Sequence, residues 1–393
     1  MKTGAIICEY NPLHNGHIYQ IQQTRNAGIT HLTAILSDDF VQRGDTAVLN
    51  KFQRAELALK AGIDLVIELP MPYSCASAEC YARGAVQMIN ALQCIQVLSF
   101  GCSGELEKLQ TLAGILTNLE NAPALQKYLK AGNSYPSAVF AVISENYPAY
   151  QNLLSDSNNL LALEYLKAMQ KLNASVQPLG IQRKGVLHDS QEVSGCFASA
   201  SLIRKKLQLH ESFQAFVPDF TEQLLHSADT ANFSNLEQII LYQIRMLEDF
   251  EKFPDVTPDL AGRFLKARQE NSLESLLEHV KSKNFTMARI KRILLYMLTG
   301  IQKQDLHTEI PYVRILGFNR NGTELLKRIR QESKIPVDTS LAKLRKTSPQ
   351  AEHFAQIQER SASLYGLAKK YYSSAEQEFR SKIKLYHEGE ILC

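Results

Sequence analysis

Apolar and polar positions along the first hundred residues switch between two periods. Short apolar runs at Gly4–Cys8, His31–Ser37, Asp64–Leu69 and Val97–Phe100 predict strands, and the stretches Gly16–Ala27, Lys51–Ala61 and Cys80–Leu92 between them have amphipathic helical spacing. Runs such as "DLVIEL" do not alternate, which suits strands buried on both faces of a parallel sheet. Strand and helix in turn predict a doubly wound α/β domain, whose ligands sit beyond the carboxyl ends of the strands.

Further along, from about Leu106 to Lys171, the pattern turns helical, with "SYPSAVFAV" and "SNNLLALEYLKAM" as helix starts. The segment "SVQPLGIQRKGVLHDS" reads as a last strand and loop, leading into a helix in "GCFASASLIRKKL". Beyond Leu209, Pro218, Pro254 and Pro258 punctuate amphipathic helices such as "NLEQIILYQIRML". The chain is therefore expected to divide near residue 210, into an α/β unit over 1–210 and a mostly α-helical unit over 211–393.

Composition narrows the class only a little. The 393 residues are 45% hydrophobic and 21% charged, ordinary for a globular protein with two or three cores. A net charge of +3 does not argue for nucleic-acid binding by itself; the placement of the charges must do so. No apolar run is long enough for a membrane span, and no apolar leader precedes the first strand, so a cytoplasmic protein is expected. Seven cysteines without a C-x-x-C pair suit reduced thiols.

The chemistry is concentrated in "EYNPLHNGH", residues 9–17, at the first strand-to-helix turn. His14 and His17 could share a metal, but a tight zinc site needs about three or four protein ligands and none lies at ligand spacing nearby. A core position suits them poorly, since that turn should be exposed at the sheet edge. A phosphate suits them best: a helix N-terminus offers unbonded N–H groups, Gly16 allows close approach, and imidazoles can donate to an α-phosphate as charge builds there.

The stretch His14-Asn15-Gly16-His17 resembles the H-x-G-H signature of the nucleotidyltransferase superfamily, which implies a Rossmann-like nucleotidyltransferase domain. "SASLIR" is similar to that superfamily's late Ser/Thr-x-x-Arg element, which implies that Ser199, Ser201 and Arg204 hold the β- and γ-phosphates. Together "EYNPLHNGH", "FVQRGDTAVLNKFQRAELALKAGIDLVIELP", "YARGAV", "SNNLLALEYLKA" and "PYVRILGFNRNG" resemble the tRNA(Met) cytidine acetate ligase family over nearly the whole chain. The resemblance implies that ATP and acetate give acetyl-adenylate and pyrophosphate. The acetyl group then passes to N4 of the wobble cytidine, position 34, of elongator tRNA(Met), and AMP is released.

Carried over by position, the ATP-binding segment falls on Ile7, Cys8, Glu9, Tyr10, Asn11, Pro12, Leu13, His14, Asn15, Gly16, His17, Ile18, Tyr19 and Gln20. Further nucleotide contacts fall on Gly101, Asn158 and Arg183, and His14, His17 and Arg204 are the expected catalytic residues. Mg²⁺ is expected to accompany ATP, with no protein ligand assigned. The chain departs from the family in Leu13, where Phe is common, and in Ser37-Asp38-Asp39-Phe40, where Ser-Gly is usual; Asp38 thus adds a negative charge near the expected site. Gln42-Arg43-Gly44 is expected to form a substrate-side loop.

For the tRNA, "KSKNFTMARIKRILLYMLTGIQK" carries only basic charges, and Arg289, Lys291, Arg292 and Arg314 are the expected phosphate contacts. Two other readings remain open on the residues alone. One is a nucleotidyltransferase that adenylates a small phosphorylated acceptor; the other is a non-catalytic RNA-binding module on a nucleotide fold.

Overall fold

The computed structural model describes the chain except residues 121, 184–193, 375–376, 388–389 and 393, together with the side chains of 157–158 and 391–392. Four of the expected strands form as β1 (Thr3–Cys8), β2 (His31–Ser37), β5 (Leu65–Leu69) and β6 (Val97–Cys102), and nearly every residue in them is buried. Between β2 and β5 lies a small hairpin, β3 (Phe40–Val41) and β4 (Asp45–Thr46). Helices α1 (Asn15–Asn26), α2 (Lys51–Lys60) and α3 (Ala78–Leu92) alternate with the strands. With β7 (Gln177–Gln182) the order is β5-β2-β1-β6-β7, all parallel. The carboxyl ends of β1 and its neighbours therefore share one edge.

The sheet does not stop at residue 210. Strand β8 (Val313–Phe318) pairs antiparallel with β5, and β9 (Val337–Asp338), β10 (Lys384–His387) and β11 (Glu390–Leu392) extend the sheet outward from it. The run "VRILGF" carries no alternation because its first five residues are buried, with Arg314 among them.

The rest of the second half is helical as expected, in helices including Glu237–Met246, Pro258–Ala267, Leu273–Val280 and Met287–Thr299. Their core gathers Ile290, Ile293 and Leu294 with Phe40, Met71 and Cys75 from the first half, so the basic helix Met287–Thr299 is seated against loops at the active edge of the sheet. Among the described residues no helix is long and apolar enough to cross a membrane.

Candidate nucleotide and acyl-transfer site

The two histidines of H-x-G-H build the start of α1 from their own side chains. His14 is the N-cap, and its Nδ1 accepts the Gly16 N–H at 3.0 Å, while His17 Nδ1 accepts the His14 N–H at 3.2 Å. This is a capping box made of imidazoles. A ring nitrogen that accepts an N–H carries no proton, so each neutral ring presents Nε2–H as its donor. The rings stack with centroids 3.8 Å apart, and Tyr10 meets His17 edge-on at 4.9 Å. Gly16 has a steric reason: a Cβ there would stand 2.9 Å from His14 Cε1. Any larger residue would push the capping imidazole away from its amide.

The late element arrives at the same turn. The helix Ala200–Gln208 is capped by Ser199, whose Oγ accepts the Leu202 N–H at 3.1 Å and lies 3.0 Å from the Ser201 hydroxyl. Arg204 Nη1 donates to the Asn11 carbonyl at 2.8 Å. Asn15 Nδ2 donates to the carbonyls of Cys196 and Ala215, each at 3.0 Å. Two helix N-termini some 180 residues apart in sequence are thus locked together, by Asn15 to Cys196 and Arg204 to Asn11. Such a pair offers N–H groups, hydroxyls and a guanidinium to one polyanion.

Within the segment from Ile7 to Gln20, the structure separates roles. Ile7, Cys8, Tyr10, Asn11 and Leu13 are buried, and Asn11 Oδ1 accepts the Val48 N–H at 2.9 Å. These side chains shape the turn, and Pro12 lies within it, also buried. Ile18 and Tyr19 are half-buried on α1, Tyr19 edge-on to Phe197, and Gln20 Nε2 donates to the Ser99 carbonyl at 3.3 Å. Gly101 is the penultimate residue of β6 and lies under Arg183, whose Nε is 3.1 Å from where a Cβ would be. Asn158 belongs to the helix Ser157–Lys171, and its side chain lies outside the described residues.

Glu9 is half-buried at the end of β1. Its Oε1 accepts the Gln42 N–H at 3.0 Å, joining the histidine turn to the loop between β3 and β4. Burial pushes its carboxyl up, against that amide and the charges of Arg204, Arg43 and Arg54. The expected substrate-side loop Gln42-Arg43-Gly44 is therefore placed between the site and the basic helix.

Asp38 turns away from the phosphate end of the site. Its Oδ1 accepts from Lys51 Nζ at 2.8 Å and its Oδ2 from Ser361 Oγ at 2.7 Å. Burial opposes its ionisation, but the Lys51 ammonium outweighs it and holds the carboxyl below its ordinary value. The negative charge that the sequence places near the site is thus neutralised inside the fold. Lys51 also contacts Glu68, and its Nζ is 2.7 Å from Glu378 Oε1.

Sequence reasoning singled out Asp38 but passed over its partners Lys51, Glu68 and Glu378, and Arg54. The Arg54 guanidinium, fully buried, donates to the carbonyls of Glu9, Ser37, Asp38 and Leu49 and so pins the ends of β1 and β2. The available signal was Lys51 and Arg54, one turn apart on the face that α2 buries with Phe52 and Ala55.

The four cations expected to meet tRNA diverge. Arg314 is 3% exposed and is spent on Glu378 and Glu68. It is a structural cation, which corrects the expectation of a phosphate contact. Arg292 is also buried, turned inward between the Gln42 carbonyl and Asp255, and is corrected for the same reason. Arg289 is half-buried and donates to the Asp255 carbonyl. Lys291 pairs with Asp45 at 3.0 Å and lines a groove of about 560 Å³ together with Ser201, Arg204 and Lys205.

The sequence model of the family described as HIGH Nucleotidyl Transferase matches residues 1–381. A tRNA(Met) cytidine acetate ligase of Thermoanaerobacter sp. (strain X514) is 38% identical over 355 residues, covering 86% of this chain and 88% of that protein. The tRNA(Met) cytidine acetate ligase of Caldicellulosiruptor saccharolyticus is 33% identical over 395 residues, covering 97% and 98%. Among solved structures, that of Thermotoga maritima TmcAL bound with alpha-thio ATP matches with a TM-score of 0.89 at 28% identity, over 98% of this chain and 99% of that one.

Proposed function

This chain belongs to the tRNA(Met) cytidine acetate ligase family, and on that premise we propose how its residues divide the reaction. The protein is an ATP-dependent ligase that joins acetate to a cytidine of tRNA(Met). Acetate attacks the α-phosphorus of ATP, the bond to the bridging oxygen breaks, and pyrophosphate leaves. The Nε2–H groups of His14 and His17 stabilise the charge that builds on the α-phosphate oxygens, while Ser199, Ser201 and Arg204 orient the departing pyrophosphate. Gly101 and Arg183 border the nucleotide further along the strand ends, and Asn158 joins them.

In the second half, the N4 amine of the wobble cytidine of elongator tRNA(Met) attacks the acetyl carbonyl of the adenylate. The carbonyl C–O bond of the acyl–phosphate anhydride breaks, its electron pair leaves with AMP, and the amine gives up its proton to solvent. Residues 1–210 serve the adenylate and 211–393 carry most of the tRNA contacts, with Arg289 and Lys291 among the phosphate-facing cations.

Mg²⁺ would be held by the phosphates and water. Asp38 is bound to Lys51, Glu9 to the Gln42 amide, and among the described residues no three His, Cys, Asp or Glu gather as a ligand set. We place the reaction in the cytoplasm, where ATP and tRNA meet.

The observation that supports this division best is the joining of the two helix N-termini by Arg204 to Asn11 and Asn15 to Cys196. The test is pyrophosphate exchange into ATP, followed by nucleoside analysis of tRNA incubated with ATP and labelled acetate. Exchange that requires acetate, and N4-acetylcytidine at position 34, are expected. Exchange indifferent to acetate but supported by a phosphorylated metabolite would overturn the reading.

A further inference from the structure

Tyr371 and Tyr372 are 70% and 74% exposed, more than any other large hydrophobic residue among the described residues. They follow Lys369 and Lys370, just past the helix Pro349–Leu367. Water-facing aromatic rings are a solvation cost that a surface turn does not require, so two in succession beside two lysines call for a partner.

The turn is held in place. Lys369 bridges to Ala231, the Ala368 carbonyl accepts from Asn232 N at 2.9 Å and Asn235 Nδ2 at 2.8 Å, and Tyr371 N–H donates to Asp229 Oδ2 at 3.2 Å. The backbone is thus fixed while both residues stay exposed, with Lys370 Nζ 5.3 Å from the centroid of the Tyr371 ring. Its location is equally defined. Asn232, which bonds to Ala368, lines the same groove as Arg204, Lys205 and Lys291. Ala231 N–H donates to the Val48 carbonyl, and Tyr365 Oη to the Ala47 carbonyl, so the tyrosine turn and the loop after β4 are parts of one support.

We propose that Tyr371 and Tyr372, flanked by Lys369 and Lys370, form a stacking platform for unpaired bases of the RNA substrate at the mouth of the Arg204–Lys291 groove. The inference rests on the acetate ligase reading. The residue types match a single-stranded RNA loop: rings stack on the π-faces of unpaired bases with little regard to sequence, and lysines meet the phosphates between them. A helical RNA stem would keep its bases stacked on each other and offer nothing to the rings. A loop nucleotide held on the platform would have its neighbour directed toward the groove where Arg204 bounds the phosphate site.

The test uses the full-length protein carrying Tyr371→Ala with Tyr372→Ala, the corresponding Phe pair, and Lys369→Gln with Lys370→Gln. Affinity for tRNA(Met) is measured across a range of salt concentrations, alongside acetate-dependent pyrophosphate exchange and the oligomeric state. The Ala pair should weaken tRNA binding by roughly tenfold or more at every salt concentration, leaving the salt slope and the exchange unchanged. The Phe pair should bind as the wild type does, and the Gln pair should flatten the salt slope. Binding by the Ala pair within about twofold of wild type would overturn the proposal, as would loss of exchange in step with binding. A wild-type dimer that the Ala pair dissolves, with tRNA affinity intact, would assign the surface to self-association and overturn it too. Failure of the wild type to show acetate-dependent exchange would instead count against the ligase reading, and the platform would still be judged by the affinities.

Discussion

Gly44 lies against the backbone of Arg292 so closely that a Cβ on it would stand 2.5 Å from the Arg292 nitrogen. The contact seats the loop between β3 and β4 on the basic helix, while the same loop reaches the histidine turn through Gln42 and Glu9. Gly44 also has φ +72°, a left-handed conformation that disfavours a side chain. Gly44→Ala should therefore lift the loop from the helix. We expect the tRNA KM for acetylation to rise several-fold, with acetate-dependent pyrophosphate exchange changed much less. Equal losses in both assays would show that the loop serves the first half-reaction instead.

The imidazole capping box allows structure and chemistry to be separated. His14→Ser keeps an N-cap oxygen and His17→Gln keeps a side chain that can reach back to the cap amide, so the double variant should fold and melt close to the wild type. Its pyrophosphate exchange should fall by at least about 10²–10³-fold, the usual loss when one donor to a developing anion is removed, since two are removed here. His14→Ala should add a stability loss of about 1 kcal/mol. Near-normal exchange in the Ser/Gln variant would remove the histidines from the α-phosphate.

Arg314 and Lys291 should respond oppositely. Arg314→Gln leaves Glu378 and Glu68 short of a buried cation and is expected to cost about 3–5 kcal/mol in urea unfolding. The salt slope of tRNA binding should stay the same. Lys291→Gln breaks only a partly exposed pair with Asp45, so stability should change by less than about 1 kcal/mol. The salt slope should fall by somewhat less than one.

Asp39 gives the fold a pH dependence. Burial, and then the adjacent Asp38 charge, push its carboxyl up to about 7 against the opposing pull of Lys51 and Arg54. An unfolded Asp titrates near 3.9. The native state therefore binds this proton more tightly, and the stabilisation it brings is complete below the unfolded value and lost as pH rises through about 7. The urea midpoint of the wild type should fall between about pH 4 and pH 7, and Asp39→Asn, which cannot ionise, should lose less. Parallel curves for the two proteins would place the titration elsewhere.

Much of the site could be read in the sequence because its parts are local. A strand, a turn with two histidines around Asn15-Gly16, and a helix all lie within the first 26 residues. Ser199 to Arg204 carries its own helix start. What could not be read depends on partners far away in sequence. Arg314 looks like any other cation of a basic stretch until β8 pairs with β5 and turns it toward Glu68. Asp38 looks like an intruding charge until Lys51 and Ser361 close on it. Strand β8 itself escaped notice because a strand with both faces covered has no alternation, and an arginine interrupts its apolar run.

The Lys51 cluster also has a consequence for the order in which the protein is made. Asp38, Lys51 and Glu68 leave the ribosome close together, but Glu378, which shares Lys51 with them, follows 327 residues after it. Until then the sheet holds an incomplete ionic centre, so a nascent chain should complete it only once Glu378 has emerged. A stalled or clipped chain that ends before Glu378 would carry every histidine, serine and arginine of the phosphate site and still present a loosened edge to proteases. Glu378 thus ties the firmness of that edge to the synthesis of the distant segment that carries it.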